Sequence, residues 1–273
     1  MLKQSVILLL LFAGGTQGWA GPALRPAMAA GRTIAAIDLA KSFATRSPWR
    51  FDATQGAAVP DPLGDPDDAI PGVIRLCFSA GPATACQPNL DKALVYDGKP
   101  DDFAQPHYLE TVRIVRPRPD LPLLLIRVAS RHGGNGDQRV AVVAFRYDRA
   151  ADAFATAFTR QVGRNNNQEV RYIERGPLRG AFVTATPTQD APFGFWMTVD
   201  RIGGDGRYRE VLRYRSATRY GDGNPLAVID SEMPGLQRRL GLWRPGRRLP
   251  LPDRPCHAPS LVKGELWCSP HRP

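Results

Sequence analysis

Residues 139–162 read RVAVVAFRYDRAADAFATAFTRQV, and this stretch decides the class of fold. Its two outer parts, Arg139–Tyr147 and Phe154–Val162, are rich in the β-branched and aromatic residues that favour extended backbone. Between them, Asp148–Asp152 forms a short polar connection. Two extended runs joined in this way predict an antiparallel β-hairpin.

Runs of the same kind recur along the chain at intervals of roughly 10 to 15 residues, separated by Gly, Asp and Asn, as in antiparallel β proteins. Gly203-Gly204-Asp205-Gly206 is a strong hairpin turn, because glycine accepts the positive φ that such turns require. The sequence therefore predicts an all-β fold, mainly antiparallel and sandwich or propeller-like, with one or two short helices. We expect strands at residues 73–78, 111–115, 123–129, 170–173, 180–186, 194–200, 208–214 and 226–230, and helices at 33–46 and 233–243.

Two parts of the β region share an order of strand, turn, strand, turn, aromatic residue and strand. They are residues 124–162 and 180–214, with Phe154 and Tyr208 in matching places. Two interpretations stay open: the parts are two blades of a propeller, or they are two ordinary hairpins that look alike at this level.

The N terminus has the three-part layout of a secretory signal. Lys3 supplies a positive charge, residues 5–12 form an apolar core, and Gly18-Trp19-Ala20 offers a cleavage site. A membrane span needs about 20 apolar residues, so this short core predicts removal and not anchoring. We expect an exported bacterial protein, periplasmic or secreted, with no transmembrane segment after cleavage.

The expected division of the chain has four parts. They are a signal peptide at 1–20 (with an alternative cut after Ala29), an N-terminal segment with a short helix and a loop at 21–71, an antiparallel β domain at 72–244, and a proline-rich, disulfide-tethered tail at 245–273.

An even number of cysteines in an exported chain predicts disulfides. Three pairings of Cys77, Cys86, Cys256 and Cys268 are possible, and we expect nearest neighbours to pair. A zinc site is the rival interpretation, but no Cys-x-x-Cys pair exists, and we expect no metal and no cofactor.

The formal net charge is +10, and +9 once Lys3 is lost with the signal. The Arg residues are dispersed among acidic residues, and an exported protein has little access to nucleic acid, so we expect no nucleic-acid partner. The charge instead favours an anionic polysaccharide or lipid of the cell envelope, or a partner protein.

Two polar loops are candidate binding sites. In one, His132 follows an apolar strand, and Asp137 could orient it as a general base. In the other, Asn165, Asn166 and Asn167 could bind sugar hydroxyls. Both loops are equally good turn sequences.

The most unusual stretch is rich in Arg and Tyr. Alternation on a strand would place Arg213, Arg215 and Arg219 on one face, where guanidinium groups suit carboxylate, sulfate or phosphate ligands. The acidic and amide residues that follow the arginines could instead bind calcium or form the carboxylate pair of a glycosidase. These residues are Asp222, Asn224, Asp230 and Glu232. The simplest interpretation is a solvent-exposed arginine face followed by a turn.

Four stretches resemble an uncharacterised family of exported bacterial proteins of unknown function. They are SPWRFDATQG at 47–56, NNNQEVRYIERGPLRG at 165–180, PFGFWMTV at 192–199 and RYRSATRYGDGNPLAVIDSEMPGLQRRLGLW at 213–243. The resemblance implies no activity and assigns no residue a role.

The chain lacks a Gly-x-Ser-x-Gly elbow, a phosphate loop and a His-Glu-x-x-His motif. We therefore expect a non-catalytic domain that binds a cell-envelope component or a partner protein. The alternative is a hydrolase acting on carbohydrate or peptidoglycan, which requires His132 or Glu232 to line a cleft.

Overall fold

The computed structural model describes residues 31–61, 69–81, 86, 93–95, 98–133, 137–164, 167–191, 193–219, 221–253 and 255–268. The expected signal peptide and both of its cleavage sites lie outside these residues. Within them, antiparallel strands dominate and two helices occur, so the expected all-β class is confirmed. Neither described helix is long and apolar enough to cross a membrane.

The first sheet has the strand order β1-β2-β5. Its strands are β1 (Arg32–Asp38), β2 (Arg50–Gln55) and β5 (Ile74–Ser79); α1 (Ala40–Phe43) lies between β1 and β2, and the short pair β3 (Val59–Pro60) and β4 (Ala69–Ile70) lies between β2 and β5. The prediction of a helix at 33–46 is therefore wrong except at Ala40–Phe43, because most of the segment before α1 is strand β1. Its residues Thr33, Ile34 and Ile37 are β-branched and fit a strand, and a register shift between Thr33 and Ala35 obscures the two-residue period.

Two four-stranded sheets follow, each with its strands in sequence order. The second sheet consists of β6 (Tyr108–Arg118), β7 (Leu121–Ala129), β8 (Arg139–Asp148) and β9 (Ala153–Gly163), and the third of β10 (Glu169–Tyr172), β11 (Phe182–Pro187), β12 (Gly194–Ile202) and β13 (Tyr208–Arg219). The hairpin predicted from residues 139–162 is β8–β9. Phe154 and Tyr208 each lie at the start of a fourth strand, so the internal likeness reflects a shared strand order.

The three sheets pack face to face. Leu124, Ile126 and Val128 of β7 join the first sheet in one apolar cluster, while Leu123 and Leu125 join the third sheet in another. Between the second and third sheets, the rings of Phe158 and Phe182 stack with centroids 3.8 Å apart. The second sheet is thus buried on both faces.

Helix α2 (Val228–Arg239) covers the outer face of the third sheet, where Leu236 belongs to the same apolar cluster as Met197 and Val199. The strand expected at 226–230 is wrong, because this segment leads into α2. Its Val-Ile-Asp sequence resembles a strand, but within the helix the buried Asp230 and Glu232 pair with Arg171 and Tyr214 of the third sheet.

The C-terminal segment ends in the hairpin β14 (Pro259–Val262) and β15 (Glu265–Cys268), which we call the C-terminal hairpin. Residues 245–253 and 255–258 contain no strand, as their proline content predicts. Both expected disulfides are confirmed, with Cα–Cα distances of 4.7 Å for Cys77–Cys86 and 5.1 Å for Cys256–Cys268.

One carboxylate ties the first sheet to the second. Asp152, in the β8–β9 turn, accepts hydrogen bonds from the Ser47 hydroxyl at 2.5 Å, from the Tyr147 hydroxyl, and from the Trp49 indole N–H at 3.2 Å. The Ser47 and Tyr147 hydroxyls are the main reason that the pKa of Asp152 falls from 3.8 to about 2.

This lowered pKa predicts a pH dependence of stability that Asp152→Asn removes. The unfolded chain binds a proton at Asp152 more tightly than the folded chain, so the stabilisation is complete above pH about 4 and is lost as the pH falls towards about 2. Urea unfolding between pH 2 and 6 should show the difference between wild type and Asp152→Asn shrinking over that window. Asp253→Asn, at an exposed acid of the C-terminal segment, is the control. A difference that stays constant down to pH 2 would contradict the role of Asp152.

Candidate functional site

The arginine stretch of the sequence lies on β13, an edge strand of the third sheet. Arg213 and Arg215 are exposed, and Tyr214 between them turns inward to α2, as alternation predicts. The Arg213 guanidinium lies over the Trp196 ring, 5.1 Å from its centroid. Arg215 donates to the Asp190 carboxylate at 3.0 Å. The two guanidinium groups are therefore held by neighbours on the sheet surface.

A wide bulge in β13 separates these two residues from Arg219. The pairing with β12 passes from Trp196–Arg215 to Gly194–Arg219, so residues 216–218 oppose a single residue, Phe195. Phe195 N–H donates to the Ser216 hydroxyl at 3.0 Å instead of to a backbone carbonyl. Because Gly194 and Trp196 are two residues apart on β12, their partners Arg219 and Arg215 lie on the same face of the sheet, as alternation predicts, but the bulge interrupts the row between them.

Glu232 of α2 holds this bulge. The side chain is only 3% exposed. Its Oε1 accepts from the N–H groups of Ala217 and Thr218 and from the Thr218 hydroxyl, each at 2.9 Å. Its Oε2 accepts from the Tyr214 hydroxyl at 2.7 Å. Burial, and then the Glu232 carboxylate, raise the pKa of Tyr214, which stays a hydrogen-bond donor at neutral pH.

Gly235, one turn further along α2, leaves room for this arrangement. A Cβ at this position would lie 3.3 Å from both Glu232 Oε2 and the Tyr214 hydroxyl. The Glu232 carboxylate is thus closely surrounded, and all of its described contacts are structural.

Asp222 and Asn224 organise the loop that follows the bulge. The Asp222 carboxylate accepts from Arg219 N–H at 3.2 Å and from Asn224 N–H at 2.9 Å. The Asn224 amide donates to the Ser231 hydroxyl at 2.8 Å and to the Leu266 carbonyl at 3.1 Å. Asn224 therefore joins the loop to both α2 and the C-terminal hairpin.

These contacts place the C-terminal hairpin beside the bulged end of β13, and a cleft of about 570 Å³ lies between them. We call it the hairpin cleft. Its lining includes Arg215, Arg219, Asp222, Lys263, Glu265 and Trp267. Among the described residues, neither Arg219 nor Lys263 forms an ion pair, so both cations are open to a ligand.

Glu265 is the most unusual group of the hairpin cleft. It is 6% exposed, and burial, followed by the nearby carboxylates of Asp222 and Glu232, raises its pKa. A buried carboxyl beside other acids retains its proton more readily than an exposed one.

The other expected site residues lie apart from the hairpin cleft. His132 is exposed, with its ring 5.4 Å from the Tyr108 ring. Asp137 accepts at its carboxylate from Gln138 N–H at 2.8 Å, and its carbonyl accepts from Gly133 N–H at 2.7 Å. Asn167 has the positive φ of a turn residue, and Asn165 and Asn166 lie outside the described residues. A backbone bond from Arg164 N–H to the Gln138 carbonyl brings these two loops together.

Asp230 faces another cleft and pairs with Arg171, which also donates to Glu169 at 2.6 Å. The acids proposed as calcium ligands or as a glycosidase pair thus have separate structural partners. In the described part of the chain, no three His, Cys, Asp or Glu residues cluster as metal ligands would. Neither His132 nor Glu232 lines either cleft, so the hydrolase alternative loses the residues on which it depended.

Lys263, Glu265 and Trp267 are the site residues that sequence reasoning missed, because they fall in the proline-rich tail at 245–273, in which no strand was assigned. One signal could have found them. Lys263-Gly264 lies between two short runs of strand-forming residues, and both residues have the positive φ of a two-residue hairpin turn.

The contacts of Glu232 predict a large and specific loss of stability in Glu232→Ala. Four donors would lose their acceptor, two of them on the buried Thr218, which costs about 3 kcal/mol in the free energy of unfolding. Glu232→Gln retains an amide oxygen for the bulge and should cost about 1 kcal/mol. Urea denaturation measures both, and Glu210→Ala, at an exposed acid of β13, is the control, expected within about 0.5 kcal/mol of wild type. An equally small loss in Glu232→Ala would be evidence against the role of Glu232 in holding the bulge.

In comparisons with protein-family models, curated proteins and solved structures, this chain matches none. Its function therefore has to be argued from the chemistry of its own clefts.

Proposed function

We propose that this chain is an exported binding domain whose hairpin cleft takes an acidic polysaccharide of the cell envelope. The observation that carries the proposal is that two cations, Arg219 and Lys263, form no ion pair among the described residues and line one cleft with Trp267. Arg215 lines the same cleft.

The cations favour an anionic ligand. A guanidinium presents a planar set of donors that matches a carboxylate or sulfate, and an ammonium adds a flexible point charge. Arg215 already donates to Asp190, so Arg219 and Lys263 supply the charge available to a ligand.

The aromatic wall favours a saccharide over a small inorganic anion. The Trp267 side chain is partly exposed in the cleft, and an indole has an apolar face and one N–H donor. Acidic sugars combine a flat apolar face with carboxylates and hydroxyls, so a cleft that combines arginine, lysine and tryptophan suits them.

The envelope setting rests on two sequence features and one structural feature. The N-terminal residues have the layout of a secretory signal, and the chain carries an excess of basic residues. Both cysteine pairs form disulfides, which persist in oxidising compartments such as the periplasm.

A hydrolase acting on the same polysaccharide is the second candidate, and Glu265 is the observation that favours it. A carboxyl with a raised pKa next to Asp222, inside a cleft, resembles the acid of a glycosidase pair. This candidate predicts the release of reducing ends, which Glu265→Gln abolishes while binding persists. Absence of any release leaves a binding domain.

The binding proposal predicts that Arg219→Ala/Lys263→Ala weakens the binding of polygalacturonate, a polymer of carboxylated sugars. Loss of both cations should reduce the affinity at least about tenfold, equal to about 1.4 kcal/mol. Trp267→Ala should weaken it further, and dextran, a neutral polymer, should bind poorly to every variant. Isothermal titration calorimetry at low salt measures each affinity.

A matched control distinguishes the cleft from general charge. Arg213→Ala/Lys99→Ala removes one arginine and one lysine from exposed positions outside the cleft. Its affinity should stay within about twofold of wild type. The proposal fails if both double variants lose the same affinity, or if wild type binds polygalacturonate no better than dextran.

A further inference from the structure

A second and larger cleft, of about 780 Å³, lies between the second and third sheets. We call it the inter-sheet cleft. It exists because β10, at the edge of the third sheet, has four residues whereas β6 of the facing sheet has eleven. The short strand leaves part of the second sheet uncovered, and α2 and residues 248–253 close the gap only in part. The volume falls within the usual range for small-molecule sites.

The base of the inter-sheet cleft is apolar. Leu125 and Val142 come from the second sheet and Val170 from the third, and all three are buried. The Trp243 indole forms part of the wall and donates its N–H to the Arg248 carbonyl at 2.9 Å. This bond fixes the segment that carries Arg248 beside the cleft.

The rim is lined by charged side chains, most of them arginines. Five arginines line the cleft, against the acids Glu174, Asp230 and Asp253. Three of these arginines are paired: Arg113 with Glu174, Arg127 with Glu110, and Arg171 with Glu169 and Asp230. Arg175 and Arg248 are exposed and form no ion pair among the described residues.

A polar group also lies within the cleft wall. Gln237 of α2 is only 6% exposed, yet its side-chain amide makes no hydrogen bond to any part of the chain that the structure describes. The Gln237 amide atoms are not among the buried unpaired side-chain atoms of the described residues, so the amide is accessible from the cleft and can bond to a ligand.

We propose that the inter-sheet cleft binds a small organic anion with a compact apolar body, a carboxylate or phosphate head group, and a hydroxyl or amide near it. The apolar body packs against Leu125, Val142 and Val170. The head group pairs with Arg175 and Arg248 at the rim, and the further polar group bonds to the Gln237 amide. The hairpin cleft shares no lining residue with this site, so the two proposals succeed or fail separately.

Calorimetric titration of the full chain with octanoate, octyl phosphate and octan-1-ol tests the ligand class. At least one of the two anions should bind at least about tenfold more tightly than the neutral alcohol, and comparison of the anions identifies the preferred head group. The proposal is overturned if neither anion binds, or if octan-1-ol binds as tightly as both.

Two variants test the assigned residues. Arg175→Glu/Arg248→Glu should weaken the preferred anion at least about tenfold, whereas Arg179→Glu/Arg247→Glu, with the same charge change at exposed arginines outside the cleft, should stay within about twofold. Equal losses in both variants would overturn the role of the rim.

The role of the Gln237 amide is tested by a separate comparison of two ligands. Wild type should bind 3-hydroxyoctanoate more tightly than octanoate, and Gln237→Leu should abolish this preference while still binding octanoate. The assignment of Gln237 is overturned if the preference is absent in wild type or survives in the variant.

Discussion

Alternate residues of β7 lie on opposite faces of the second sheet, and both sets are apolar. Leu123 and Leu125 face the third sheet, while Leu124 and Ile126 face the first. A sheet with two apolar faces needs a covering layer on each side, so a single pair of sheets would leave one face in water. The outer face of the third sheet is also apolar, and α2 covers it. The clefts then arise where the layers end, at the short β10 and at the bulged end of β13.

Polar chemistry in this fold serves first to hold the layers in register. Asp152 joins the first sheet to the second, and Asp230 and Glu232 join α2 to the third sheet. Each of these carboxylates is satisfied by several donors, which is the condition under which a buried charge can be tolerated. The groups available for binding are those that do not join the layers. They are Arg219 and Lys263 in the hairpin cleft, and Arg175, Arg248 and the Gln237 amide in the inter-sheet cleft.

Much of the sheet structure could be predicted from the sequence, because β-branched runs and Gly-rich turns act over a few residues. The strands around Phe154 and Tyr208 are examples. The two disulfides could also be predicted, because each joins cysteines that are close in the sequence. The failures have a tertiary cause. Residues 33–38 have helical spacing but pair with β2, and residues 228–230 resemble a strand but belong to a helix with buried acidic partners.

The site was harder to predict for the same reason. The sequence marks Glu232 as a candidate acid, but its donors are Tyr214 and a bulge that no local pattern reveals. Glu265 and Trp267 lie beyond the prolines of the tail, in a short segment marked only by the Lys263-Gly264 turn. The spatial meeting of Arg219 with Lys263 depends on the Asn224 contacts, which lie outside the reach of sequence periodicity.

Helix α2 has one further property, which follows from its two polar faces. Asp230, Met233 and Gln237 face the inter-sheet cleft, whereas Glu232 and Gly235 contact the strand that borders the hairpin cleft. The helix thus lines the inter-sheet cleft and supports the strand beside the hairpin cleft, so a displacement of α2 would alter the surroundings of both. By thermodynamic reciprocity, any such effect on affinity has the same size in both directions. A twelve-residue helix is therefore the element through which two chemically different ligands would sense one another.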